Sequence, residues 1–283
     1  MTTADIRPGG CPAWPPKRRL LGVDVTATTY DQAVACVMAA AQRRQPAVVS
    51  LHAVHALVTA SGDSDLRAKV NQFDMIAPDG QPVRWALNGI YGAGLRDRVY
   101  GPELTLRVCE AAAAHGEAIY LFGSTLPVLS RLGRNLTKRF PKLDIAGVES
   151  PPFCPLDEMD WDAIADRIHR SGASIVFVGL GAPKQDLAAW ELRQRVNTVN
   201  LAVGAAFDFH AGTKKMAPKW MQRRGLEWAF RLGEEPKRLW RRYLVTNTLF
   251  VMRSLRQWAL GRRHDTAARP IGGDSYPFTK KAA

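Results

Sequence analysis

Phe73-Asp74-Met75-Ile76-Ala77-Pro78-Asp79-Gly80-Gln81-Pro82-Val83-Arg84-Trp85 joins a short apolar run to an abrupt Pro-Asp-Gly turn and then to a helical pattern. Pro78 and Gly80 disfavour continuing the strand, so the run ends there. Asp79 is thereby pinned at a strand's C-terminal end, beside the start of the next helix. In an open α/β sheet that edge is where ligands bind. A carboxylate there has two readings: a helix N-cap, since Asp caps well, or a general base.

The same succession of strand, turn and helix recurs on both sides. Strands are predicted over residues 20–25, 47–51, 118–123, 143–148, 174–181 and 199–203, in addition to the run ending at Asp79. Helices are predicted between them, over 31–42 (capped by Thr29 or Asp31), 53–60, 65–71, 81–87, 102–114, from 124 to about 140, 157–170 and 183–195. Alternation of this kind argues an α/β fold, a Rossmann-like, mostly parallel sheet with helices on both faces. After Gly212 the pattern changes to two basic helices, over 219–232 and 236–259, broken at Gly233 to Pro236. The predicted organisation is an irregular segment over 1–19, a core over 20–215, a helical appendage over 216–262 and an irregular tail over 263–283.

A chain of 283 residues, 46% hydrophobic and 23% charged, is an ordinary globular composition for one α/β domain with an appendage. Its four cysteines, Cys11, Cys36, Cys109 and Cys154, form no C-x-x-C pair, so neither a zinc knuckle nor a disulfide framework is suggested. The first twenty residues lack the apolar core of a secretory signal. No uninterrupted apolar run of about eighteen residues suggests a spanning helix. The protein is expected to be cytosolic or to lie on a membrane surface.

The net charge of +13 is concentrated: residues 214–263 hold fourteen Lys and Arg against Glu227, Glu234 and Glu235, which is +11 in that segment alone. Such a basic end implies a polyanionic partner. In its second helix, Trp240, Leu244, Val251, Met252, Leu255 and Trp258 recur on one face. Lys237/Arg241 and Arg238/Arg242 are like-charge i,i+4 pairs, whose repulsion an anionic surface would offset. The helix suits a bilayer interface carrying anionic lipid, or an apolar face docked on the core, or both. Trp220, Trp228 and Trp240 are expected as packing anchors rather than stacking platforms, which argues against nucleic acid as the partner.

Five strand exits carry the chemistry-bearing residues: Ser50-Leu51-His52, Pro78 to Gln81, Gly123-Ser124, Gly179 to Gln185 and Gly204 to Asp208. In a parallel sheet they share one edge. Gly179-Leu180-Gly181-Ala182-Pro183-Lys184 has two glycines of a dinucleotide fingerprint, with Lys184 in place of the third, and is weak evidence for NAD. A diphosphate still fits there, on backbone amides at a helix N-terminus. Asp63-Ser64-Asp65 and Asp160-Trp161-Asp162 could hold a metal but also read as helix starts. His52 and His55 are a conceivable metal pair lacking a nameable third ligand, and hydrogen bonding is the simpler role for His52.

Taken together, these blocks resemble the WecG/TagA/CpsF family of bacterial glycosyltransferases, glycosyltransferase family twenty-six, from about Leu20 to Leu249. The resemblance rests on Ala77-Pro78-Asp79-Gly80, Arg98-Val99-Tyr100-Gly101-Pro102-Glu103-Leu104, Tyr120 to Gly123, Phe177 to Gln185 and Gly204 to Gly212. It continues through Ala217-Pro218-Lys219-Trp220, Gly225-Leu226-Glu227-Trp228 to Arg231, and Glu235-Pro236-Lys237-Arg238. It implies transfer of a sugar, N-acetylmannosamine-type or hexose, from a UDP-sugar to a polyprenyl-diphosphate-linked sugar in cell-surface polysaccharide synthesis. The implied reaction is inverting and needs no metal or other cofactor, with the carboxylate matching Asp79 as base. The appendage is implied to close the site and to meet the lipid diphosphate at the anionic inner face of the cytoplasmic membrane, with the protein cytoplasmic and peripherally associated there. Members usually carry Thr and Asn where this chain has Ser50 and His52, and Asp where it has Glu103. These departures bear on which sugar is taken.

On that footing Ser50, His52 and Arg84 join Asp79 as candidates at the reacting centre. Gly80, Gln81, Arg98, Gly101, Glu103, Gly123, Gly181, Lys184, Gln185 and Asp208 are candidates for the nucleotide-sugar. Arg231, Lys237, Arg238, Arg241 and Arg242 are candidates for the acceptor diphosphate and membrane. Two rivals stay open: a nucleotide-dependent oxidoreductase, and a peripheral membrane or nucleic-acid binding protein using its basic tail. A homo-oligomer pairing through an uncovered face of the core is also open.

Overall fold

The computed structural model describes residues 13–261. Five apolar runs form buried parallel strands: β3 (Ala47–His52), β4 (Met75–Pro78), β5 (Ile119–Gly123), β7 (Ile175–Gly179) and β8 (Val199–Ala202). With the more exposed β6 (Ile145–Glu149) they make one six-stranded sheet in the order β4-β3-β8-β7-β5-β6. Every pairing in it is parallel. Both faces of such a sheet must be covered, which explains near-continuous apolar strands rather than alternating ones. The side chains divide by parity: Val48, Ile76, Phe122 and Val176 face one core, Val49, Met75, Leu121 and Phe177 the other.

On the first face lie α2 (Val54–Gly62), α3 (Ser64–Val70), α4 (Gln81–Tyr91), α7 (Trp161–Ser171) and α8 (Lys184–Arg193). On the second lie α1 (Tyr30–Gln42), α5 (Gly101–His115), α6 (Leu126–Arg139) and α9 (Ala206–Ala211). Thr29 starts α1 with a reciprocal capping box to Gln32, one of the two caps expected there.

Two departures occur at the N-terminal end. Strand β1 (Lys17–Leu20) begins inside the segment expected to be irregular, and the run read as one strand over 20–25 is split. Leu21 and Gly22 both take positive φ and turn β1 back on β2 (Val23–Thr26) as an antiparallel hairpin. The Ile76 amide donates to Thr26 Oγ1 at 3.1 Å, so the hairpin shields the outer edge of β4. The rest of the segment expected to be irregular at 1–12, and the tail at 263–283, lie outside the described residues.

Past the sheet come α10 (Lys219–Arg223), α11 (Glu227–Glu234) and α12 (Pro236–Gly261). The helix expected over 219–232 is thus two helices. Gly225, at φ +72°, breaks it, and a Cβ there would lie 2.8 Å from the Trp85 ring. Helix α12 docks by Leu239, Thr246 and Phe250, all buried, and by Gln257, which accepts from the Leu21 amide at 2.9 Å. The six apolar residues read from the sequence are on its other side and exposed, Trp240 by 55% and Leu255 by 60%. Trp220 is exposed as well, contrary to its expected role as a packing anchor, whereas Trp228, though partly exposed, packs edge-on against the Tyr243 ring of α12. No helix among the described residues is long and apolar enough to cross a membrane.

Candidate active site

The exits of β4, β3, β8 and β7 open into one cleft of about 1100 Å³, walled on its far side by α11 and α12. Asp79 sits at the β4 exit. Its amide donates to the His52 carbonyl at 3.1 Å, and the Val99 amide donates to the Pro78 carbonyl at 3.0 Å. The turn is therefore held by the neighbouring strand and by the segment before α5. Gly80, not Asp79, occupies the N-cap position of α4, and no side chain caps that helix. The capping reading of Asp79 fails. Its carboxylate lines the cleft and takes a hydrogen bond from the Gly101 amide.

Surrounding protein strips solvent from this carboxylate and pushes its pKa from 3.8 up to about 6. Arg98 and Arg231 pull the other way, and Glu227 adds to the rise. Arg98 is buried, its guanidinium 4.2 Å over the Tyr100 ring. Its Nη2 donates to Glu227 Oε2 at 2.7 Å. Arg231 donates to Glu227 Oε1 at 2.6 Å, and Tyr100 donates to the same oxygen at 3.0 Å. Burial alone would raise the Glu227 carboxyl, but Arg231, Arg98 and Tyr100 together hold it below its ordinary value.

Across the cleft, Gly181 and Ala182 lead into α8, with Lys184 its first residue. The Gln185 amide is engaged by the Gly181 carbonyl at 2.8 Å. Lys184 reaches away from the cleft floor to the Cys154 carbonyl at 2.6 Å. Gln185 is buried and lends its NH2 to the Ala202 carbonyl, leaving Oε1 without a partner. Asp208 sits lower on the same wall, accepting from Thr213 Oγ1 at 3.3 Å and facing Lys214 at 3.7 Å. Gln81 Oε1, His55 Nδ1, Arg231 Nε and Arg242 Nε are likewise buried, unpartnered and carried by cleft-lining residues. Burial, then the nearby Arg242, lowers the pKa of His55 and keeps its ring neutral.

Among the residues singled out from the sequence, Asp79, Gly80, Gln81, Arg98 and Gly181 come together in the cleft, with Lys184, Gln185, Asp208, Arg231 and Arg242. Gly101 contributes its amide to Asp79. Others stand elsewhere. Ser50 Oγ donates to Asp186 Oδ1 at 2.5 Å, and His52 Nε2 lies 3.3 Å from Asp186 Oδ2 without an aligned hydrogen bond. Both are fully buried and neither lines the cleft. Arg84 ties down the carbonyls of Leu95 and Arg96. Glu103 pairs with Arg107 one turn along α5, on the protein surface.

Gly123 is required by packing, since a Cβ there would lie 2.7 Å from the Gly179 backbone. Lys237 and Arg241 are exposed on α12 outside the cleft, and the Arg238 side chain lies outside the described residues. Asp63 and Asp160 cap α3 and α7, so both D-x-D pairs begin helices. The two histidines part company, His52 toward Asp186 and His55 toward the cleft.

Three side chains in or behind the site were not singled out for it: Glu227, Asp186 and His55. Glu227 carried two usable signals, being one of only three acids in the +11 segment and part of the Gly225-Leu226-Glu227-Trp228 block of the resemblance. Asp186 directly follows a named strand exit. His55 lies one turn into the helix after β3, where periodicity says nothing about a cleft.

Fold and cleft together define an α/β protein with one large cleft along the exit edge of its parallel sheet. The family model described as the glycosyl transferase WecG/TagA/CpsF family matches residues 18–264. The chain belongs to this family and is a glycosyltransferase.

Proposed function

We propose that the protein transfers a sugar from a UDP-sugar to a polyprenyl-diphosphate-linked sugar, with inversion at the anomeric carbon. The observation that carries this reading is the placement of Asp79. A partly buried carboxylate, its pKa pushed up to about 6 by the surrounding protein, faces the same cleft as two guanidiniums and the N-terminus of α8. A base titrating near neutrality suits removal of a proton from an attacking hydroxyl. The acceptor hydroxyl attacks C1 of the donor, Asp79 takes its proton, and the bond from C1 to the UDP oxygen breaks. Arg98 and Arg231 stabilise the charge that develops on the departing phosphate. The Gly181 and Ala182 amides, in the turn that leads into α8, support the diphosphate, while Gln81 and Gln185 offer unpartnered oxygens to hydroxyl groups.

A volume of about 1100 Å³ exceeds the roughly 300–1,000 Å³ typical of a single small-ligand pocket, which suits two substrates together. Arg242, with its buried, unpartnered Nε, is the side chain on the appendage wall suited to the acceptor diphosphate. The outward apolar stripe of α12, flanked by exposed Lys237, Arg241 and Arg256, suits an anionic bilayer surface at the cytoplasmic face. The test is UDP release from a panel of UDP-hexoses, UDP-N-acetylhexosamines and their uronates, with a soluble lipid-diphosphate-sugar acceptor analogue and EDTA present. Acceptor-dependent release with one donor supports the reading and names the sugar. Vesicle binding with no release, even with native membrane extract as acceptor, would replace it with a binding role.

A further inference from the structure

Glu227 is a buried carboxylate at the junction of the C-terminal helices with the sheet, and three donors converge on it. Arg98 and Tyr100 come from the segment before α5, and Arg231 from its own helix, at 2.7, 3.0 and 2.6 Å. Both guanidiniums also interact electrostatically with Asp79. Two cations therefore stand near two carboxylates, and both close their ion pairs on Glu227. Among the described residues, no Lys or Arg closes a salt bridge on Asp79.

We propose that Glu227 is a positioning residue that preserves Asp79 as a base, by holding Arg98 and Arg231 away from direct pairing with it. The proposal rests on the reading of Asp79 as the base. A carboxylate paired directly with arginine has its pKa lowered by about 1–3 units and becomes a correspondingly poorer proton acceptor. The same guanidiniums held on a second carboxylate remain near enough to stabilise a leaving phosphate. Because Glu227 and Arg231 belong to one helix, they reach the site together, adding one charge of each sign. With α11 withdrawn, Arg98 loses its partner and Asp79 becomes the carboxylate left to it. Docking of α11 thus changes Arg98 from a partner of the base into a cation free for the substrate.

The groups around Asp79 restrict how this can be read out. Arg98 and Tyr100 face it from the segment before α5, the Gly101 amide from the first residue of α5, Tyr30 from α1, and Glu227 and Arg231 from α11; Asp97 lies within reach of Tyr30. Burial pushes the Tyr30 phenol up to about 12 and Tyr100 higher still, so both stay neutral through the range of the assay. His55 lines the same cleft, so the acid limb is assigned to Asp79 by its response to Glu227, which contacts the arginines beside Asp79.

The experiment is the pH profile of kcat/KM for wild type, Glu227→Gln and Glu227→Asp, with UDP affinity measured for each. In the Gln variant the acid limb should move to lower pH by roughly half a unit or more, about a threefold change in proton affinity. Its plateau should fall at least about tenfold. The Asp variant, which keeps the charge one methylene back, should lie between, and it supplies the same sign of shift if the Gln variant does not fold. A lowered plateau with an unmoved limb would mean that Glu227 merely anchors the appendage, and would overturn the proposal. Absence of any Asp79-dependent transfer in wild type would instead defeat the reading of the function on which the proposal rests.

Discussion

Ser50 Oγ lies 2.5 Å from Asp186 Oδ1, and the pair is sealed inside the protein although both residues lie at or next to strand exits that border the cleft. The contact ties β3, whose end supports Asp79, to α8, whose start forms the opposite wall of the cleft. His52 adds its ring at 3.3 Å. The first consequence concerns stability. Asp186→Ala leaves the buried Ser50 hydroxyl without its acceptor, a loss of about 1–3 kcal/mol. Urea unfolding should register it as a lower midpoint with an unchanged slope. An unchanged midpoint would mean that the cluster does not hold the two walls together.

The raised pKa of Asp79 also bears on stability. A carboxyl moved from 3.8 to about 6 on folding contributes stability that is fully present below pH 4 and is lost as the pH rises through 6. Asp79→Asn should therefore stabilise the protein at pH 8, by about 2 kcal/mol, and confer no such gain at pH 4. Thermal unfolding at the two pH values checks the sign. Equal effects at both would show that the Asp79 site does not penalise the ionised form.

The two faces of α12 should respond differently. Phe250→Ala, on the docked face, opens a cavity and should cost about 3–5 kcal/mol. Leu255→Glu, on the exposed stripe, should change stability by no more than about 0.5 kcal/mol. It should nonetheless weaken sedimentation with vesicles containing phosphatidylglycerol. Undiminished vesicle binding would remove the stripe from the membrane reading.

Gly225 separates α10 from α11 with φ at +72°, close against Trp85. Gly225→Ala meets both a strained backbone and the indole ring, and should destabilise by about 1–2 kcal/mol. Since α11 carries Glu227 and Arg231, activity should fall further than stability. A variant as stable and as active as wild type would mean that the break is not needed to seat α11.

The sheet was legible because its strands are buried on both faces and so read as unbroken apolar runs ending in glycine or proline. The position of Asp79 followed from the same fact, as did the gathering of Gln81, Gln185 and Asp208 on one edge, whereas Arg98 lies in a loop and was picked out by the resemblance alone. Other features left no such trace. Leu21-Gly22 lies inside an apolar stretch, so the hairpin read as a single strand. Helix α9 is only six residues between glycine-rich turns. The docked face of α12 includes Thr246 and Gln257, and its apolar periodicity therefore pointed to the solvent-facing side. Ser50 and His52 sit at a strand exit, yet the inward partner Asp186 turns them from the cleft. Such pairings depend on which face of β3 meets α8, and spacing along the chain does not encode it.

The most direct test of the account compares Asp79→Asn with wild type for glycosyl transfer and for UDP binding in the same buffer at pH 8. The account predicts a fall in turnover of about 10²–10⁴-fold, with the dissociation constant for UDP changed by no more than about threefold. Turnover within a few-fold of wild type would contradict the assignment of Asp79 as the base.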